Sequence, residues 1–292
     1  VAPTDATVLI QGESGTGKEM VAQALHESSA CCGREMVTVD GGTLQETLFE
    51  SEIFGHERGA FTSAERQKKG LIEEAEGSTL FLDEIGETSP AIQAKLLRVL
   101  ETNTFRRLGG TRVLKANVRF VVASNRDLAE MSQAGSFRSD LYFRLASFVI
   151  HVPPLRERRE DIPLLAEHFL QRFARGIERK LTPDALQLLM VYDWPGNVRE
   201  LRNLIERAVI LAGRDGRIRA EHFGPLVARR PDSVSLAFDH EPSLAEIEKD
   251  YLRRTLLQYG GNRAKAALVL GISERNIYRL IRQYKLDDRS EH

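Results

Sequence analysis

Short apolar runs alternate with amphipathic stretches over the first 150 residues, a pattern that predicts a parallel α/β sheet. The runs at 7–11, 36–39, 79–82, 118–124 and 148–152 read as strands. Residues 18–29 and 91–101 read as helices. The second is entered through Ser89-Pro90, a capping residue followed by the imino acid favoured in a first helical turn. From about Pro153 the strand signal ends, and helical stretches near 162–174, 183–192 and 198–212 predict a small helical lid. Residues 229–242 (RRPDSVSLAFDHEP) lose periodicity, carry two prolines and read as a linker. A last helical unit runs from Ser243 to about Leu286. The organisation expected is an α/β part at 1–152, a lid at 153–228, a linker at 229–242 and an all-α unit at 243–292.

Composition narrows the class. With 292 residues the chain is long enough for about two domains. It is 42% apolar and 28% charged with a net charge of -1, which excludes a wholly disordered or uniformly basic protein. No apolar run approaches the roughly 18 residues of a membrane-spanning helix, and Val1 does not open a signal peptide, so no membrane partner is expected. The adjacent Cys31 and Cys32 are unsuited to a structural bridge. They read as small half-buried residues after a helix, in a reducing, intracellular compartment. The near-zero net charge conceals a basic end: between Arg253 and Lys285 eight cations stand against Glu274 alone. That density points to a polyanion partner for the C-terminal end, which the helix-turn-helix form below narrows to double-stranded DNA.

The candidate chemistry sits at strand ends. Gly12-Glu13-Ser14-Gly15-Thr16-Gly17-Lys18 follows an apolar strand and opens a helix, the context in which a glycine-rich turn binds phosphate. Its N–H groups converge on the phosphates of ATP, the helix terminus adds partial positive charge, and Lys18 adds a full one. Glu19 stands where a Ser or Thr hydroxyl normally meets Mg²⁺, so the metal must lean on Asp83, phosphate oxygens and water. Thr79-Leu80-Phe81-Leu82-Asp83-Glu84 ends a buried strand in two carboxylates: Asp83 suits Mg²⁺ and Glu84 suits polarising the attacking water. Asn125, at the end of a later strand, suits contact with the γ-phosphate or the water, or is a plain turn residue. Arg138 and Arg144, six apart, suit arginine fingers aimed at a neighbour's nucleotide, or are solvated. Between the two ATPase motifs lies Gly59-Ala60-Phe61-Thr62-Ser63-Ala64, an aromatic-tipped loop expected to be exposed. His56 reads as the base of that loop and His151 as a strand end. Neither has companions at metal-ligand spacing.

At the C-terminal end, 262–270 (NRAKAALVL), Gly271-Ile272 and 273–285 (SERNIYRLIRQYK) have helix-turn-helix form. Ala266, Ala267 and Leu270 pack the first helix, Gly271 makes the turn, Ser273 caps the second, and Ile277, Leu280 and Ile281 form its buried face. Arg263, Arg275, Asn276, Arg279 and Arg282 remain to grip phosphates or read base edges.

These motifs together resemble one family, the NtrC-type bacterial enhancer-binding proteins, AAA+ activators of sigma-54 RNA polymerase. The resemblance is carried by GESGTGKE (12–19), FESEIFGHERGAFTSA (49–64), GSTLFLDEIGE (77–87), LLRVLE (96–101), FRSDLYFRL (137–145), PPLRERREDIP (153–163) and WPGNVREL (194–201). It implies an AAA+ P-loop ATPase with a parallel sheet, a helical lid and a C-terminal all-α helix-turn-helix domain of Fis type. It also implies a ring, usually a hexamer, in which Lys18, Asp83 and Glu84 act in one subunit and Arg138 and Arg144 reach the adjacent one. Asn125 resembles the first sensor residue and Arg199 the second, while Glu19 is the family's usual residue. The implied partners are the sigma-54 RNA polymerase holoenzyme, met by residues 59–64, and upstream DNA, held by dimeric units that include the helix at 244–258. The family domain usually begins before Val1, often behind a sensory domain, so the chain resembles a piece of a longer protein.

Two positions depart from the family pattern. Asp40 stands where an Asn commonly holds the catalytic Glu away from water, and an ionised carboxylate cannot donate to another. Ser63 replaces the second glycine of the usual Gly-Ala-Phe-Thr-Gly-Ala. Serine costs on the order of 1 kcal/mol if the backbone there is left-handed and little otherwise. Two other readings follow: a related DNA-binding regulator that does not activate sigma-54, and an AAA+ remodeller with another client. The DNA-binding unit argues against the latter.

Overall fold

The computed structural model describes residues 1–42, 46–61, 64–174, 178–213, 215–224, 243–259, 262–284 and 286. The predicted linker at 229–242, with Thr62, Ser63 and Lys285, lies outside them. The chain divides into two compact units, Val1–His222 and Phe223–His292.

The first unit is built on β1 (Val8–Gln11), α1 (Lys18–Glu27), β2 (Val37–Asp40), α2 (Glu46–Phe54), α3 (Leu71–Glu74), β3 (Thr79–Asp83), α4 (Pro90–Thr102), β4 (Thr104–Phe105), β5 (Leu114–Lys115), β6 (Arg119–Ser124), α5 (Leu128–Gln133), α6 (Ser139–Leu145) and β7 (Val149–His151). Five of the strands form a parallel sheet in the order β2-β3-β6-β1-β7. Alternate residues enter opposite faces. Val8, Ile10, Phe81, Val121 and Ala123 pack with Ala22 and Leu25 of α1. Leu9, Leu80, Leu82, Phe120 and Val122 belong to the larger core with Ile53 and Phe54 of α2 and Leu96 and Leu100 of α4. Each of these large apolar side chains contributes roughly 1.5–3 kcal/mol by leaving water.

Because the strands run parallel, their carboxyl ends lie along one edge, the place where open α/β sheets bind ligands. The register pairs Gln11 with Ser124 and Asp40 with Asp83 on that edge. Here the structure moves the expected boundaries. The strand read at 36–39 is Val37–Asp40, and the one read at 79–82 runs on to Asp83, so both carboxylates are strand residues. Cys31 is half-buried as expected, whereas Cys32 is exposed, because it sits in the turn after α1.

The lid consists of α7 (Asp161–Phe173), β8 (Lys180–Leu181), α8 (Pro183–Val191), α9 (Asn197–Leu211) and β9 (Arg217–Ile218). Leu201, Ile205, Ala208 and Val209 form the buried stripe of α9, and Ile162, Ala166, Phe169 and Leu170 that of α7. The two helices pack together.

The second unit contains α10 (Leu244–Gln258), α11 (Arg263–Leu270) and α12 (Glu274–Gln283). Ser243 caps α10 through a reciprocal bond with Glu246, and Gly271, at φ +65°, ends α11. Leu252, Ala266, Ala267, Ile277, Leu280 and Ile281 form its core.

Candidate functional site

The turn from β1 into α1 is a cradle made of backbone. Gly15 and Gly17 have φ of +78° and +100°, open to glycine at little cost. Gly17 stands at the N-cap of α1 with no side-chain cap, which leaves the first helical N–H groups for a ligand. Lys18 is buried, and its Nζ donates to the carbonyls of Gly12 and Glu13 at 3.0 and 3.1 Å. Burial pulls its pKa below the ordinary lysine value, while the charges of Asp83 and Glu84 push it back up. The two carboxylates therefore lie within electrostatic reach of the ammonium.

Asp83 Oδ1 accepts the N–H of Glu84 at 2.9 Å. Glu84 adopts φ +53°, a conformation that a non-glycine residue holds only against strain and that recurs at working sites. Burial first, then the charges of Asp40 and Asp83, raise its pKa above the usual carboxylate range. The Asp40 carboxylate accepts the Gly42 N–H at 2.8 Å. Glu84 Oε2 lies against Gly42, where a β-carbon would displace it. Asp40 and Glu84 thus share the surroundings of Gly42, and Asp40 is satisfied by backbone without Glu84. Among the described residues no cluster of three or more His, Cys, Asp or Glu side chains is arranged to hold a metal. The single carboxylate of Asp83 beside a phosphate cradle nevertheless fits Mg²⁺, which keeps much of its shell as water and phosphate oxygen.

The segment carrying Phe61 is fastened at its base. Gly59 N–H donates to Ala64 at 2.9 Å, and His56 exchanges backbone bonds with Lys68 at 2.9 and 3.0 Å. Glu57 N–H reaches Leu108, and Leu108 N–H reaches Gly55, binding this base to the turn between β4 and β5. Arg107 from that turn grips Glu73 through two nitrogens at 2.6 and 2.7 Å and Glu57 at 3.0 Å. Phe61 is 37% exposed and meets the His56 ring edge-on at 4.9 Å.

In the second unit, Ser273 Oγ accepts the Asn276 N–H at 3.3 Å and starts α12. Ile277, Leu280 and Ile281 are buried, whereas Arg275, Asn276, Arg279 and Arg282 are exposed. The Arg263 guanidinium lies 5.0 Å from the centre of the Tyr278 ring.

Comparison with known proteins matches this arrangement segment by segment. Residues 1–151 match the sigma-54 interaction domain, residues 156–236 the AAA+ ATPase lid domain, and residues 243–284 the bacterial regulatory protein Fis family. The chain belongs to the sigma-54 interaction domain family. Transcriptional regulatory protein ZraR of Salmonella typhimurium (strain LT2) is 49% identical over 95% of this chain. Nitrogen fixation protein AnfA of Azotobacter vinelandii is 45% identical over 99% of it. The chain spans 63% of ZraR and 55% of AnfA. The structure of NtrX from Brucella abortus in complex with ADP is similar with a TM-score of 0.74 and 36% identity, covering 98% of this chain and 66% of that one. A second NtrX structure, in complex with ATP, has a TM-score of 0.70.

The remaining residues expected of a sigma-54 interaction domain are placed as follows. Asn125 is exposed, directly after β6 on the same sheet edge. Arg138 precedes α6 and forms a forked pair with Asp140, at 3.0 and 2.6 Å. Arg144, in the last turn of α6, donates twice to the Leu100 carbonyl at the end of α4. Both arginines are exposed on this one copy and held by its own groups. Arg199 lies in the first turn of α9, its Nη1 3.0 Å from Ser14 Oγ.

Sequence reasoning passed over several residues that hold the cradle. Asn197 donates to Glu13 and to the Ser14 carbonyl, Arg156 pairs with Glu13, and Arg158 donates to the Thr16 carbonyl. All three stand in the motifs 153–163 and 194–201, where an arginine-dense turn and an Asn after Pro-Gly were the available signals. Arg107 carried no such signal.

Proposed function

We propose that the chain is the working part of a sigma-54-dependent transcriptional activator. It hydrolyses ATP, binds upstream DNA through the second unit and drives the 59–64 loop against the sigma-54 RNA polymerase closed complex. The division of labour follows the organisation 1–152, 153–228, 229–242 and 243–292. The observation that carries this reading is the mechanical continuity of the first unit. The segment bearing exposed Phe61 is hydrogen-bonded into a turn that Arg107 ties to Glu73, so the loop is anchored to the ATPase unit.

In this reading the backbone from Gly12 to Gly17 and the Lys18 ammonium hold the phosphates, with Glu19 next to Lys18 in α1. Asp83 holds Mg²⁺, which when bound supplies charge neutralisation at the phosphate oxygens. Glu84 polarises the water, Asn125 orients it, and Arg199 reaches the terminal phosphate from the lid. Asp40, in place of the usual Asn, modulates Glu84 by charge and not by donating a hydrogen bond. A homo-oligomer, a hexamer in this family, lets Arg138 and Arg144 leave Asp140 and Leu100 for the adjacent nucleotide. Such a finger is worth about 10³–10⁵ in rate. Gly59, Ala60, Phe61, Thr62 and Ser63 form the sigma-54 contact, with Ala64, expected at that surface but buried, holding the base of the loop.

Arg263, Arg275, Asn276, Arg279 and Arg282 form the DNA contact. The helix α10, on which Leu244 and Leu257 are 85% and 71% exposed, pairs two such units in this reading. No helix among the described residues is long and apolar enough to cross a membrane. The protein so described works in the bacterial cytoplasm.

The test is capture of purified sigma-54 in the presence of ADP and a transition-state phosphate mimic. A nucleotide-dependent complex is expected. A chain that hydrolyses ATP and binds DNA yet captures no sigma-54 is the related regulator that the Ser63 replacement raises.

A further inference from the structure

The first residue after the leading glycine of a phosphate loop has no duty toward the phosphates, which the backbone and the lysine hold. In this chain that residue, Glu13, is the most heavily engaged side chain of the loop. Its two carboxylate oxygens accept the Arg156 guanidinium at 2.6 and 2.8 Å, a forked contact that fixes both direction and distance. Oε2 also accepts Asn197 Nδ2 at 3.1 Å. These bonds pull the Glu13 pKa down to about 2, the Arg156 contact first.

The partners are lid residues placed with little freedom. Asn197 is fully buried at φ +51°. Its Nδ2 also donates to the Ser14 carbonyl at 3.0 Å, and its Oδ1 accepts the Leu155 N–H at 2.8 Å. The next two residues of α9, Val198 and Arg199, direct their N–H groups at the Gly15 carbonyl at 3.0 and 3.3 Å. The approach is so close that a β-carbon at Gly15 would lie 2.5 Å from the Gly196 carbonyl oxygen. The start of α9 is therefore seated on the phosphate loop, with Arg199 as its third residue.

We infer that Glu13, through Arg156 and Asn197, is a positioning residue that locks the lid helix onto the phosphate loop and sets Arg199 for the terminal phosphate. The inference rests on the ATPase reading. The backbone cradle and Lys18 serve a diphosphate and a triphosphate alike, so the lock contributes to the difference between them. Losing it lowers affinity for the triphosphate while leaving that for the diphosphate nearly intact.

The experiment measures displacement of a fluorescent nucleotide by ADP and by a non-hydrolysable ATP analogue. The proteins are the wild type, Glu13→Gln, Arg156→Gln, the double variant and Arg156→Lys. Each neutral single variant is expected to bind the ATP analogue about fivefold or more weakly, with ADP affinity changed less than about twofold. The double variant is expected to be no weaker than the weaker single, because both remove one contact. Arg156→Lys keeps the charge and stem without the fork and is expected to fall between wild type and Arg156→Gln. Equal losses for both nucleotides, additive losses or no loss would overturn the lock and leave the ATPase reading standing. A wild type that binds neither nucleotide would overturn both. Should a neutral variant fail to fold, Arg156→Lys decides, and wild-type preference in it overturns the lock.

Discussion

Gly109 and Ala60 touch: a β-carbon on Gly109 would fall 2.9 Å from the Ala60 methyl, in a backbone at φ +70°. The turn between β4 and β5 therefore reaches the base of the 59–64 loop only because residue 109 has no side chain. Gly109→Val forces a strained φ and a steric conflict, together costing about 2–4 kcal/mol locally. The expected outcome is a variant with near-normal nucleotide affinity and little capture of sigma-54, measured side by side. Normal capture would show that the turn does not set the loop.

Asp40 and Glu84 flank Gly42, and the Asp40 carboxylate already holds the Gly42 N–H. Asp40→Asn supplies an amide that can donate to Glu84 where the carboxylate cannot. Steady-state turnover is expected to change, or its stimulation by sigma-54 to change, with nucleotide affinity the same. Identical turnover and coupling would remove Asp40 from the chemistry.

Glu13 gives the clearest pH dependence. Its folded pKa, about 2, lies below the ordinary 4.5, so the pair with Arg156 stabilises the fold fully above about pH 4.5 and its contribution is lost as pH falls towards 2. In Arg156→Ala the carboxyl is expected to titrate closer to 4.5, followed by NMR of the side-chain carboxyl carbon. Both partners are about two-fifths exposed, so the shift should shrink with added salt.

Arg279 lies on the exposed side of α12 while Ile281 lies beneath it. Arg279→Ala is expected to weaken binding to a cognate DNA by about 1–3 kcal/mol, flatten its salt dependence and relax base choice. Ile281→Ala should instead cost about 2–4 kcal/mol of stability in the small helical unit, seen in urea unfolding. Unchanged affinity and specificity in Arg279→Ala would exclude it from the readout.

What the sequence disclosed follows from how local each signal is. The phosphate loop, the Asp83-Glu84 strand end and the helix-turn-helix are contiguous, and each fuses a periodicity to a breaker or a charge. They were readable with element boundaries off by a residue or two. The turn holding Arg107 was not. It is flanked by strands of two residues each, too short to show alternation. α2 went unread because its apolar residues Leu48, Phe49, Ile53 and Phe54 are spread around its circumference. The lid contacts were hidden for a different reason. Glu13 and Arg156 are 143 positions apart, and no spacing rule joins them; only the fold does.

Trp194, the only tryptophan in the chain, is fully buried two residues before Gly196. Its indole N–H donates to the Leu189 carbonyl at 2.9 Å, and the Tyr192 ring meets it edge-on at 5.0 Å. All indole emission from this protein therefore originates at one spot, in the turn whose next residues press on Gly15. The molecule carries its own fluorophore at the joint between lid and phosphate loop, so movements there can be timed by stopped flow without a dye, a label or an engineered side chain.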